Sequence, residues 1–490
     1  MTNSAIMRAA NVTPSARQLQ WQALEFYAFV HFTINTFTGR EWGTGEESPT
    51  IFNPERLDAD QWVDVFRSAG MRGLILTAKH HDGFCLWPSQ HTNHSVRQSP
   101  WRDGHGDVVR EVSQACNKAG LKFGVYLSPW DRHDSRYGTE EYNDYFKAQL
   151  RELLTHYGDI FCVWFDGACG EGPNGKRQVY DWDGYFAIIR ELQPNAVISV
   201  CGPDVRWCGN EAGHCRVSEW SVVPGQLRSQ ERIQEQSQTV DDGLFSRRVN
   251  TGDQDLGSRV AIQGVEDLVW YPAEVNTSIR PGWFYHANED GQVRSVEELL
   301  TIYYEAVGGN ATFLLNVPPD PSGLIASQDA TVLVNLGDVL RRTFARDLAR
   351  EAVATASATL DRDHDADRVI DGDRDSFWCP PFGTESADVE LDFGGETTFD
   401  HVVLQEHIAS GQRIERFSLE CRIGDQWVSV HTGTVVGYKR IVRLRPITCQ
   451  RLRVRILESR WGPTLSSVGV YSGTGLSEEV ELVTARGFRS

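Results

Sequence analysis

The sequence predicts the α/β fold class: a (β/α)8, TIM-like parallel barrel followed by a C-terminal β-sandwich. Three observations predict it. Short apolar runs alternate with amphipathic runs between residues 20 and 345, as strands buried on both faces alternate with covering helices. About eight such units in roughly 325 residues suit a closed barrel with insertions. After Phe344 the texture changes to short alternating strands separated by turn residues, the pattern of a sandwich.

In chain order, the barrel strands are expected at Phe26–Phe32, Gly73–Thr77, Phe123–Leu127, Ile160–Phe165, Val197–Val200, Arg216–Val222, Glu274–Ile279 and Thr312–Val317. Helices are expected at Ala59–Ala69, Asp107–Ala119, Glu140–Tyr157, Trp182–Leu192, Ser295–Val307 and Val332–Phe344. In the second of these Asp107 is placed as N-cap and Gly120 as C-cap. No G-x-G-x-x-G follows an early strand, which counts against an open nucleotide-binding sheet. Ala345–Thr355 reads as the connection, dividing the chain into a catalytic domain, 1–345, and a sandwich domain, 346–490. Sandwich strands are expected at Val389–Phe393, Phe399–Gln405, Phe417–Arg422, Trp427–His431, Lys439–Leu444, Arg451–Ile456 and Ser467–Tyr471.

The chain has 490 residues, more than one ordinary core accommodates. Its formal net charge of -19 repels phosphate backbones, so no nucleic-acid partner is expected. No run approaches the ~18–20 apolar residues of a membrane span. The opening residues lack a basic start followed by an apolar stretch, so a cytoplasmic protein is expected. Ten cysteines are scattered without a CxxC pair, which reads as reduced thiols; Cys201, Cys208 and Cys215 recur every seven residues by chance.

In a barrel, chemistry collects at the C-terminal ends of the strands. The first end carries His31, the second Lys79-His80-His81-Asp82-Gly83-Phe84, the third Tyr126 and Ser128, and the fourth Trp164-Phe165-Asp166-Gly167. Four successive ends carrying imidazoles, a phenol and a carboxylate suit a polyhydroxylated ligand. Asp166 alone also reads as a turn residue bonding its own backbone; the company it keeps favours a site. His80 and His81 are neighbours and should face opposite ways on a strand, so one in the pocket and one behind it is expected, with no metal. Loop tryptophans Trp42, Trp87, Trp130, Trp207, Trp220 and Trp283 offer flat faces for a sugar ring, or ordinary core packing.

These strings resemble one family. His31-Phe32-Thr33, Glu41-Trp42-Gly43, Thr77–Phe84, Gly124–Trp130 and Trp164–Ala168 are similar to the α-L-fucosidases of glycoside hydrolase family 29 over roughly residues 20–345. The resemblance implies a retaining exo-α-L-fucosidase without a cofactor, acting on fucosylated oligosaccharides, with Asp166 as nucleophile. It implies fucose-pocket roles for His31, Glu41, Trp42, His80, His81 and Tyr126, and for Trp283 against the fucose methyl group. Gly202–Glu211 resembles the subgroup selective for α-1,3/1,4-linked fucose, whose loop glutamate is the acid/base; that implies Glu211, with Glu219 second and Glu274 third. Retention requires two carboxyl groups about 5–5.5 Å apart, one ionised and one protonated. Val369–Asp373 and Phe377-Trp378 resemble a discoidin-like module, which either binds sugar or calcium or simply buttresses the barrel. A hydrolase of another sugar and a non-catalytic sugar-binding protein are the competing readings.

Overall fold

The computed structural model describes residues 2–237 and 255–473; residues 474–490 of the expected sandwich domain lie outside them. Five strands come first: β1 (Phe26–Val30), β2 (Gly73–Lys79), β3 (Lys122–Leu127), β4 (Ile160–Phe165) and β5 (Val197–Val200). β6 (Arg206–Trp207) follows at once, then β7 (Val222–Pro224), β8 (Leu268–Trp270), β9 (Ala273–Ser278) and β10 (Ala311–Asn316). The parallel sheet runs β5-β4-β3-β2-β1-β10-β9-β6, and a parallel bridge from Ser199 to Val205 joins its two edges. The result is a nearly closed eight-stranded barrel.

The expected strand at Arg216–Val222 is not in it. Val222 begins β7, which pairs antiparallel with β8 away from the barrel. The sixth place is taken by β6, which pairs with β9 from Arg206 to Trp207. A two-residue strand has no periodicity to read. Only residues 201–205 join β5 to β6, too short a connection for a covering helix.

Helices cover the other crossovers, among them Ala59–Ser68, Val108–Ala119, Glu140–His156, Trp182–Leu192, Val296–Ala306 and Ser327–Thr343. Their ends follow local chemistry. The Asp107 side chain accepts from Arg110 N, and Gly120 ends that helix at φ 74°, a left-handed turn without a Cβ penalty. Ser295 and Glu298 close a capping box at Val296. None of the described helices is long and apolar enough to cross a membrane.

The C-terminal region is an antiparallel β domain. It contains β11 (Val353–Ala356), β12 (Ala387–Glu406), β13 (Ile414–Ile423), β14 (Gln426–Thr434), β15 (Arg440–Ser459) and β16 (Leu465–Tyr471). Their order is β11-β12-β15-β13-β14, with β16 on β12. Two pairs of expected strands are single long strands. β12 contains Val389–Phe393 and Phe399–Gln405, and β15 contains Lys439–Leu444 in all but its first residue together with Arg451–Ile456. The ladder between them shifts register at Asp392/Thr397, where turn residues interrupt the pattern without ending the strands. The connection is itself structured: Ala349 is buried in the core of this domain, and Val353–Ala356 is a strand.

The barrel interior sets the position of the site. Successive strand residues face opposite ways, so Tyr27, Phe29 and His31 form one inward row and Trp164 and Asp166 another. Phe165 points outward onto Phe146, with ring centroids 5.8 Å apart. Low in the barrel, Glu274 on β9 is fully buried and accepts from Trp164 Nε1 (2.7 Å), Ser199 Oγ (3.3 Å) and the Tyr27 hydroxyl. This polar layer is the floor beneath the cavity.

Candidate active site

An open cavity of about 600 Å³ lies above that floor. His31, Glu41, Trp42, His80, His81, Asp166, Glu211 and Trp283 all line it. Tyr126 joins them through Asp166, to which its hydroxyl donates at 2.9 Å. The nine site residues expected from sequence are therefore brought to one place.

Asp166 follows the last residue of β4. Oδ2 accepts from Tyr126, and Oδ1 accepts from the Ala168 backbone at 2.8 Å. His81 Nε2 lies 3.8 Å from Oδ2. Burial raises the Asp166 pKa from its ordinary value, and the Ala168 and Tyr126 hydrogen bonds oppose that rise.

Glu211 enters from the other side. It sits after the short β6, not after β5 as the sequence order suggests. Asn210 shapes its turn: Oδ1 accepts from Ala212 N and His214 N, both at 3.1 Å. Burial and then the negative charge of Asp166 push its carboxyl up to about 8, with Glu41 adding to the rise and a Trp283 side-chain hydrogen bond opposing it. Glu211 thus keeps its proton at neutral pH, and the Asp166 charge is one of the causes, a pairing suited to acid and nucleophile roles.

The histidines are neutral. Burial holds His31 and His81 down to about 3 and His80 well below its ordinary value. Ser128 donates to the Trp130 carbonyl at 2.6 Å, which leaves its oxygen to accept from His81 Nδ1 at 2.7 Å. His81 Nε2 is then an acceptor facing the cavity. Asn316 fixes His31 in the same way, taking its Nδ1 at 2.8 Å while its own amide donates to Ser278 and Trp283. Such acceptors match the hydroxyls of a sugar.

His80 and His81 both line the cavity, contrary to the one-in, one-behind expectation. β2 ends at Lys79, so strand alternation no longer applies at the next two residues. Lys79 itself points outward, where its ammonium meets Asp131 and Gln149, each at 3.0 Å.

Glu41 anchors the Trp283 loop. Its carboxylate accepts from Trp283 N (2.8 Å) and Phe284 N (3.4 Å), and His286 Nε2 lies 2.8 Å from it. Of the six loop tryptophans, Trp42, Trp207 and Trp283 line the cavity. Trp130 packs behind Trp42, centroids 5.4 Å apart, and Trp87 and Trp220 are buried elsewhere.

The two rival glutamates are occupied. Glu274 is held by the three donors of the floor. Glu219 is fully buried against Arg206 and Arg216. Sequence reasoning missed Asn276, which lines the cavity and accepts from Trp207 Nε1 at 2.9 Å. It lies two residues beyond Glu274, so the two-residue strand period could have found it. Also missed was Val200, a cavity residue at φ 59°, a left-handed conformation costly for a β-branched side chain. No pattern in the sequence announces that strain.

The chain is similar to known proteins over both domains. Residues 15–343 match the alpha-L-fucosidase family, and residues 353–468 match the F5/8 type C domain. Alpha-L-fucosidase 1 of Arabidopsis thaliana is 42% identical over 467 residues, 94% of this chain and 87% of the relative. A solved glycoside hydrolase family 29 member from an unknown rumen bacterium is 37% identical, with a TM-score of 0.78, covering 96% of this chain and 79% of its own. A Ruminococcus gnavus family 29 fucosidase solved in complex with fucose is 30% identical, with a TM-score of 0.82 and 95% of each chain covered. The chain therefore belongs to the alpha-L-fucosidase family, glycoside hydrolases built here on a barrel with an F5/8 type C domain behind it.

Proposed function

We propose that the protein is a retaining exo-α-L-fucosidase in which Asp166 is the nucleophile and Glu211 the acid/base. The observation that carries this reading is the placement of both carboxyl groups on one cavity, with Glu211 held protonated beside a charged Asp166. Asp166 attacks the anomeric carbon of fucose while Glu211 gives its proton to the departing oxygen. Glu211 then takes a proton from water as the water oxygen attacks the anomeric carbon and breaks its bond to Asp166, which releases fucose with its configuration retained and restores both carboxyl groups. His31, His80, His81 and Trp42 hold the sugar, and Trp283 faces its apolar edge. The fucose complex of the Ruminococcus gnavus relative supports fucose as the ligand.

The Gly202–Glu211 segment supports a preference for α-1,3/1,4-linked fucose through its resemblance to that subgroup. The test of the roles is Asp166→Asn, expected to fold and to lose several orders of magnitude in rate. Azide should restore part of that rate as an inverted fucosyl azide. Near-normal activity of Asp166→Asn would sink the assignment. The test of linkage compares a Lewis-type trisaccharide with 2′-fucosyllactose; equal turnover of the two would remove the preference.

A further inference from the structure

The C-terminal domain meets the barrel beside the segment that carries Glu211. Between β6 and β7 the chain runs from Cys208 through Glu211 to Ser221. Its first half carries Glu211 to the cavity, and its second half lies against the C-terminal domain. There Arg440 Nη2 donates to the Val217 carbonyl at 3.1 Å, and the Ser218 and Thr434 hydroxyls meet at 2.6 Å. Gln412, fully buried, accepts from Ser221 N at 2.7 Å and donates to the Glu219 carbonyl at 3.4 Å.

The Glu219 side chain then turns back toward the barrel. Its carboxylate pairs with Arg206 of β6, and with Arg216 at 3.3 Å. Arg216 donates to the Cys208 carbonyl at 2.8 Å. One buried carboxylate therefore ties together the two arms of the segment on either side of Glu211, and its own backbone is gripped by the C-terminal domain. The Asn210 turn fixes the shape of the Glu211 loop, whereas this tether joins the loop's two flanks to each other. A buried carboxylate between two guanidiniums is no efficient source of stability, because desolvation offsets most of the attraction. Placement is a better account, since a misplacement of about 1 Å can cost roughly a hundredfold in rate.

We propose that Glu219 is a positioning residue for Glu211, and that the C-terminal domain, through Gln412, sets the reach of the acid–base loop. The proposal rests on the Glu211 role given above. It gives the second domain a part in the reaction that requires no sugar binding of its own.

The experiment uses full-length Gln412→Ala and Glu219→Gln with aryl α-L-fucosides whose leaving groups span a wide range of acidity. A general acid matters most where the leaving oxygen most needs a proton. For Gln412→Ala the expected result, read as kcat/KM so that only the leaving-group step counts, is a change within about twofold on dinitrophenyl-type substrates and a fall of roughly tenfold or more on poor leaving groups. The basic limb of its pH profile should move to lower pH as Glu211 withdraws from Asp166 and Glu41, the charges that face it. Glu219→Gln should show the same pattern more strongly. If Glu219→Gln fails to fold, Gln412→Ala and Thr434→Val still decide the matter. Equal losses of kcat/KM on all leaving groups, with a lower Tm and an unmoved basic limb, would overturn the proposal and leave a plain buttress. Glu211→Ala is the control. Absence of leaving-group dependence there would remove the acid/base assignment itself. Its presence there, with none in the Gln412 and Glu219 variants, would overturn only this inference.

Discussion

At the scale of single residues, the cavity works by holding like groups in unlike states. Burial lifts both Asp166 and Glu211, but hydrogen bonds from Ala168, Tyr126 and Gly167 oppose the rise at Asp166, whereas the neighbouring negative charge adds to it at Glu211. A bell-shaped kcat/KM profile is expected. Its acid limb should lie above the ordinary range of an aspartate and its basic limb near pH 8, where Glu211 loses its proton. A profile flat through pH 8 would separate Glu211 from the chemistry. The same shift has a cost in stability. Between about pH 4.5 and 8 the folded protein keeps the Glu211 proton while the unfolded chain has released it, so stability from this group falls as pH rises through that window. Glu211→Gln carries no such titration. Its Tm should match wild type near pH 4 and exceed it at pH 8; thermal scans at the two values check this. Lys79 shows the opposite economy. Its ammonium is fully buried and paired with Asp131 at 3.0 Å. Lys79→Met should strand that carboxylate and destabilise the fold by about 3–5 kcal/mol, measured by urea unfolding.

At the scale of elements, local sequence decided the helix ends and most strand interiors. The Asp107 and Gly120 caps were legible because the N-cap and the left-handed C-cap each demand a particular side chain. Asp107→Ala should cost about 1 kcal/mol in urea unfolding and leave kcat/KM unchanged, because that cap lies outside the cavity. Elements failed to be legible where they were too short or where a strand stopped. β6 is two residues long, and its neighbours decide that it pairs with β9 at all. His80 and His81 share a cavity because β2 ends one residue earlier. Gly83, at φ 78°, then turns the chain so close to Asp131 that a Cβ would lie 2.6 Å from its Oδ1. Gly83→Ala should therefore destabilise the fold and, through the adjoining histidines, lower kcat/KM more than a surface Gly→Ala does.

At the scale of the whole molecule, the two cores are not independent. Val403 and Ile441 belong to β12 and β15 yet are buried in the barrel cluster. Lys439 of the C-terminal region pairs with Glu25 at 2.6 Å beside β1, and the Tyr438 hydroxyl donates to the same carboxylate at 2.9 Å. Calorimetry should therefore show one cooperative transition. Lys439→Met should lower the Tm of that single transition; two separate transitions in the wild-type protein would contradict the shared core.

By itself the sequence determined the fold class, most strand positions, the Asp107 and Gly120 caps, and the family resemblance that picked out Asp166 and Glu211. These depend on short-range rules: periodicity, capping chemistry and strings of adjacent residues. Tertiary structure alone shows which of three glutamates lines the cavity. The sequence ranked Glu211 first by resemblance and left Glu274 and Glu219 as its rivals. Yet one is held by Trp164, Ser199 and Tyr27, and the other by Arg206 and Arg216. A carboxyl group takes its pKa and its availability from partners that are distant in the chain, and those partners are assigned only when the barrel closes and the second domain docks against it.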